Sequence, residues 1–151
     1  MPTAEILQTA YIGKGTIFST ATMAAPTVFT AIANVVDVSD PKAQIAHVET
    51  TNYSSTDKEF IPGMLDNGQL TLKLNYAEPS YSAIIALLKV TSMFQITKAD
   101  GSTLAFAGFI DSMSGTNPID NRLEQDVSIK VTGTVTYTPM VNGVAGTPVT
   151  F

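Results

Sequence analysis

The residues in this chain that are spaced for chemistry each fall short of what the chemistry needs. Gly13-Lys14-Gly15-Thr16 has the glycines and the lysine of a phosphate-cradling loop. The full pattern needs another glycine five positions before the last one, and a helix after it. Here that position is Ala10, and the residues from Phe18 onward carry no helical pattern. His47 is the only histidine, which excludes a multi-histidine metal site within one chain. It falls on an expected strand, with no orienting partner for base catalysis, and is expected to pack or hydrogen-bond at an interface. Asp120, Glu124 and Asp126 form a loose acidic group. A calcium loop needs denser oxygen ligands and a defining glycine, so a solvated loop end is expected. Asp111-Ser112-Met113-Ser114-Gly115 has no glycine two residues before either serine, so it is not a nucleophile elbow. Asn52-Tyr53-Ser54 is a formal glycosylation acceptor and marks an exposed loop. The expectation is a protein without catalytic residues, cofactor or metal.

Composition points the same way. The chain has 151 residues and no cysteine, which fits one domain without a disulfide framework or thiolate metal site. A chain this long buries roughly 70% of its unfolded surface. Only 14% of its residues are charged, below the roughly 25% usual for soluble domains, and a weakly charged polar surface suits protein–protein burial. Net charge is -5, and the eight lysines and arginines are scattered singly. Tight nucleic-acid binding needs grouped cations, so it is not expected. Met1-Pro2-Thr3-Ala4-Glu5 lacks a signal-peptide start, and the apolar run 83–88 is too short to span a membrane, so insertion of this subunit into a membrane is not expected.

The elements needed to position any surface are mainly strands. Residues 1–26 read as an extended N-terminal arm, and residues 27–151 as one domain. Residues 28–38 and 43–50 read as strands, with a turn at Asp40-Pro41. Residues 51–67 read as a long loop, polar over 51–58, of the kind that is functional or disordered. Gln69 to Tyr76 alternates with period two. Ser80 is the expected N-cap of the one helix, about ten residues long, with Tyr81, Ile84, Ile85 and Leu88 on one face. Residues 93–97 and 103–112 form a hairpin about Asp100-Gly101, followed by a polar loop over 115–122. Residues 124–138 are the clearest strand, with Val127, Ile129, Val131, Val135 and Tyr137 on one side. Val141-Asn142-Gly143-Val144 predicts a last small hairpin. Six or seven antiparallel strands and one helix predict a β-sandwich with a flanking helix.

The most distinctive segment is Phe60-Ile61-Pro62-Gly63-Met64-Leu65-Asp66-Asn67-Gly68-Gln69-Leu70. Pro62 fixes φ and Gly63 frees it, so a sharp turn is expected there, with a second at Asn67-Gly68. The segment resembles the signature of the major tail tube proteins of long-tailed, non-contractile phages, the lambda-type tail tube family. Residues 27–39, 45–51, 70–76 with the short helix ending at Leu87-Leu88, 94–97 with Asp100-Gly101 and 106–110, and 127–133 follow the order of that family. Some members carry an extra immunoglobulin-like domain after this core, and the resemblance implies that a chain ending at Phe151 would be the minimal form without it.

The resemblance implies a structural virion protein of the phage tail, assembled in the host bacterial cytoplasm. Six subunits would form a ring, rings would stack into a tube, and sheets would join between subunits into a barrel around a lumen. Implied partners are further copies of the chain and the tape-measure, tail terminator and tail-tip proteins. Double-stranded viral DNA would pass through the tube without specific binding. The ring-stacking candidates are Asn52, Tyr53, Asp57, Lys58, Phe60, Ile61, Pro62, Gly63 and Asp66. That loop would be disordered in the monomer and order on stacking. The lumen-lining candidates are Asp126, Ser128, Lys130, Thr132 and Thr134. Two other readings stand beside this one. One is a tube subunit of a contractile tail or secretion apparatus. The other is a receptor- or carbohydrate-binding virion β-sandwich, disfavoured by the lack of tryptophan.

Overall fold

The computed structural model describes residues 13–141 and 143–151. The chain is mainly β, antiparallel, with one helix. In chain order the elements are β1 Ile17–Thr22, β2 Thr30–Ala31, β3 Val35–Val38, β4 Gln44–Glu49, β5 Phe60–Asp66, β6 Gln69–Asn75, α1 Ser80–Ala86, β7 Ser92–Thr97, β8 Thr103–Thr116, β9 Glu124–Thr138, β10 Met140–Val141, β11 Val144–Ala145 and β12 Val149–Thr150. The main sheet runs β2-β1-β7-β8-β9-β6-β3, and β12 pairs with β9 beyond the end of β6. Its two outermost strands, β2 and β3, are consecutive in the chain and joined through residues 32–34. The sheet therefore folds over itself around one core, as the sandwich expectation requires.

Period-two alternation decides which side chains enter that core. Leu70, Leu72 and Leu74 on β6 face Ile129 and Val127 on β9, all buried. Phe94, Ile96, Leu104, Phe106 and Ile110 fill the next strands. Phe18, Phe94 and Phe106 stack in succession, with centroids 5.7 and 5.9 Å apart. Each fully buried aliphatic or Phe side chain contributes about 1.5–3 kcal/mol through area removed from water. Gly108 takes an inward position where a Cβ would meet the Lys130 carbonyl at 2.6 Å.

Several sequence expectations are corrected. The arm reading fails at Ile17–Thr22. That segment is β1, paired along β7 with Phe18 in the core. Its alternation is short and rich in Ser, Thr and Ala, so it carries a weak signal. Residues 1–12 lie outside the described residues. Residues 28–38 are two strands, not one, because Asn34 adopts φ 63 and redirects the chain from β1's side to β6's side. The helix is seven residues long, and its cap position is Pro79, with no side-chain capping bond. Only Ile84 of the expected apolar face is fully buried, while Ile85 and Leu88 are exposed. β8 continues through Gly115 and Thr116, which were expected in a loop. The hairpin over 140–145 forms as β10 and β11, with Asn142 outside the described residues.

Candidate functional site

β4 and β5 stand apart from the sandwich. Among the described residues they pair with each other and with no other strand, and every residue of both is exposed. The long-loop expectation over 51–67 is thus corrected. Its second half, Phe60–Asp66, is a strand, and the whole forms a protruding β-hairpin. Nor does Pro62-Gly63 make a sharp turn. Pro62 sits opposite His47 within β5, which is tolerated because β5 is an edge strand with no neighbour on its other side. The register advances three residues on β5, Leu65 to Pro62, against two on β4, Ile45 to His47. Gly63 and Met64 therefore share one partner, Ala46, in a bulge. A Cβ on Gly63 would lie 3.1 Å from the Ala46 carbonyl, so glycine fits the close approach.

The tip forms its own hydrogen bonds, which runs against the expected disorder. The Thr50 amide donates to the Glu59 carbonyl at 2.9 Å. The Ser54 amide donates to Asn52 Oδ1 at 2.9 Å, and the Glu59 amide to Thr51 Oγ1 at 3.0 Å. Ser55 Oγ donates to the Glu59 carboxylate at 3.1 Å. Short Ser, Thr and Asn side chains satisfy turn amides in this way without a core. Tyr53 stands fully exposed at the apex.

Register sorts the arm's side chains into two faces. Ile45, His47, Phe60, Pro62 and Leu65 share one, with the His47 and Phe60 rings edge-on at 6.4 Å. Val48 and Ile61 face each other on the other side. Both faces expose apolar side chains to solvent, with Glu49 beside Phe60 on the first and Gln44 and Asp66 on the second. The structure brings Asn52, Tyr53, Asp57 and Lys58 to the tip, and Phe60, Ile61, Pro62, Gly63 and Asp66 to β5. Sequence reasoning missed Ile45, Val48, Met64 and Leu65 as members of this surface, although Met64 is 87% exposed. Apolar residues in a strand read as core, and only the lone pairing of β4 with β5 reveals otherwise.

A second surface is the outer face of β6 and β9. Asp126, Ser128 and Lys130 lie there opposite Lys73, Thr71 and Gln69. Lys130 Nζ is 3.1 Å from Asp66, and Lys73 Nζ is 3.9 Å from both Glu124 and Asp126. Gln69 donates to Asp111 at 2.9 Å. Both lysines of this face are therefore engaged by carboxylates. Thr132 and Thr134 flank Gly133, which takes φ 77 in a wide bulge of β9 between Thr132 and Val135, and both threonines are exposed. Asp66 is held below the ordinary aspartate pKa, first by the Gly68 amide and then by Lys130. Asp100 is lowered chiefly by the Ser102 amide.

The remaining sequence candidates find structural places. Gly13 to Thr16 is a turn leading into a strand, not into a helix. Asp111-Ser112-Met113-Ser114-Gly115 lies inside β8. Glu124 pairs with Arg122 at 2.7 Å. Among the described residues no group of three His, Cys, Asp or Glu side chains is placed to hold a metal, and no helix is long and apolar enough to cross a membrane.

Chains of similar fold have been solved within tail and injection-system assemblies. A subunit in the virion of a native gene transfer agent superposes with TM-score 0.71, at 14% identity, over 86% of this chain and 100% of that one. A subunit of the SPP1 tail tube gives 0.66, at 11% identity, over 89% and 82%. A chain in the sheath/tube terminator of the extracellular contractile injection system PVC gives 0.68, at 11% identity, over 88% and 99%. These likenesses show the fold. No protein-family profile matches the sequence, and no curated protein matches it.

Proposed function

We propose that this chain is a structural tube subunit that assembles into stacked hexameric rings forming a phage-type tail tube. The observation that carries the reading is the β4–β5 arm, which exposes apolar side chains on both faces and, among the described residues, pairs with no strand of the sandwich. A two-stranded hairpin is marginal in water by itself, and a contiguous exposed apolar surface marks a protein–protein contact. A second copy offers such a contact at every subunit, and repetition of one heterologous contact builds rings and filaments. The fold shared with the gene transfer agent and SPP1 tail subunits supports the tube geometry, and one such tail was solved with C6 symmetry.

On this reading the arm bridges successive rings, and the outer face of β6 and β9 lines the lumen. Three carboxylates, Asp66, Glu124 and Asp126, engage the two lysines of that face, and Asp111 accepts from Gln69 beside them. Phosphates would find no free cation there, so DNA would slide without counterion-releasing contacts. The protein acts in the virion tail, with tape-measure, terminator and tail-tip proteins as partners, and performs no catalysis.

A second reading, a tube within a contractile sheath, is favoured by the likeness to chains of the contractile system PVC. Negative-stain microscopy of the purified protein, concentrated and incubated for days, tests assembly. Hollow tubes or rings of uniform diameter are expected, and a permanent monomer under every condition, including seeding with preformed tail tips, would overturn the reading. Tubes that bind a co-expressed sheath protein would select the contractile form.

A further inference from the structure

We infer that Asp66-Asn67-Gly68 is a rigid joint that sets the angle of the β4–β5 arm against β9, and thereby aims the arm at its neighbour. This rests on the tube reading for its purpose, though not for its geometry. The arm makes no sheet contact with the sandwich, so its direction depends on the few residues at its base.

Those residues are fastened in three ways. Asn67 is 5% exposed, and its Nδ2 donates to the Gly133 carbonyl at 2.9 Å and the Phe151 carbonyl at 3.3 Å. One side chain so ties the arm to the bulge of β9 and to Phe151, the residue after β12. Asp66 accepts from the Gly68 amide at 2.8 Å and from Lys130 Nζ at 3.1 Å, closing the turn and tethering it to β9. Gly68 adopts φ 66, and a Cβ there would lie 2.5 Å from the Lys42 carbonyl. The outgoing leg of the arm is thereby pressed against the incoming leg. The buried Nδ2 is expensive to misplace, since its desolvation is offset only by these two long-range backbone acceptors, while Oδ1 is buried without a partner among the described residues. The wide bulge at Gly133 exposes the carbonyl that Asn67 takes, so the irregularity in β9 and the joint form one construction.

The chain has no cysteine, so spin labels can be placed at Thr56→Cys on the tip and Thr71→Cys on β6. Pulsed dipolar spectroscopy on the monomer reads the arm's angle as a distance distribution. A narrow distribution is expected, broadening in Asn67→Ala. Asp66→Asn, which keeps an acceptor for the Gly68 amide but loses the charge facing Lys130, gives a smaller broadening and serves if Asn67→Ala does not fold. Unchanged widths in the folded variants would overturn the joint. The critical concentration for tubes, measured on unlabelled protein, should rise in the order of the widths. Broad distributions with unchanged assembly would overturn the aiming role. If the parent chain never forms tubes, the tube reading fails, while the monomer distances still decide the joint.

Discussion

Phe60 and Phe106 show how one residue type serves two ends. Phe106 is fully buried between Phe94 and the β9 valines, whereas Phe60 is 54% exposed on the arm. Phe106→Ala is expected to cost about 3–5 kcal/mol of folding stability, read in a denaturant melt. Phe60→Ala and Ile61→Ala should leave the monomer within about 0.5 kcal/mol, because they touch no core, yet abolish tube growth seen by light scattering. Equal loss of stability in both sets would remove the arm from its assembly role. Two aspartates set an acid limit. Asp66 and Asp100 have depressed pKa values in the fold, so each contributes stability that is fully present above its ordinary value of 3.8. That contribution is lost as pH falls through the lower folded value. Thermal unfolding should be insensitive to these two groups from pH 5 upward and weaken below pH 4, with the Asp66→Asn variant showing a shallower acid slope.

At the scale of elements, strong alternation was legible and weak alternation was not. β6 and β9 announce themselves because leucines and valines occupy every second position, and the structure places them where the period predicts. β1 was missed because Ile17 and Phe18 are followed only by Ser, Thr and Ala, whose burial depends on the neighbouring strand β7. β5 was read as part of a loop because Pro62 and Gly63 carry turn signals in isolation. In context the proline sits on an open edge and the glycine in a bulge, and neither breaks the pairing. Residues expected at a contact surface were therefore named from β5, while their partners on β4 were not. The tip has its own hydrogen bonds and gives nothing to the sandwich core. Replacing residues 51–58 by an Asn-Gly turn should leave circular dichroism and melting temperature of the monomer unchanged while preventing tubes. Normal tubes from this variant would confine ring contact to β4 and β5.

For the whole molecule, the charge pattern carries the prediction. Lys73 and Lys130 are already satisfied on the outer β6–β9 face, and the rest of that face on β9 is serine, threonine, aspartate or glutamate. Assembled tubes should retain no DNA. Tubes carrying Ser128→Lys and Thr132→Lys should retain it, with affinity falling steeply as salt rises, since each new cation releases counterions from phosphate. Retention that does not depend on which face carries the new lysines would place the lumen elsewhere.

The length of the β8–β9 pairing has a mechanical side. These strands run antiparallel from Thr103 to Thr116 and from Glu124 to Thr138, and they form the middle of the sheet. Force along the strands loads their ladder in shear, so many hydrogen bonds must yield together, whereas force across them peels bonds one at a time. A chain pulled from its two ends in an optical trap loads this pair through Thr103 and Thr138, which face each other, so the pair should peel open bond by bond, and only a load along the strands meets the whole ladder. The β4–β5 arm, tied to the sandwich only at its base, should give way first and at lower force. A wall built from such subunits would be stiff along β8 and β9 and compliant at its seams, so that bending is taken up between subunits and not within them.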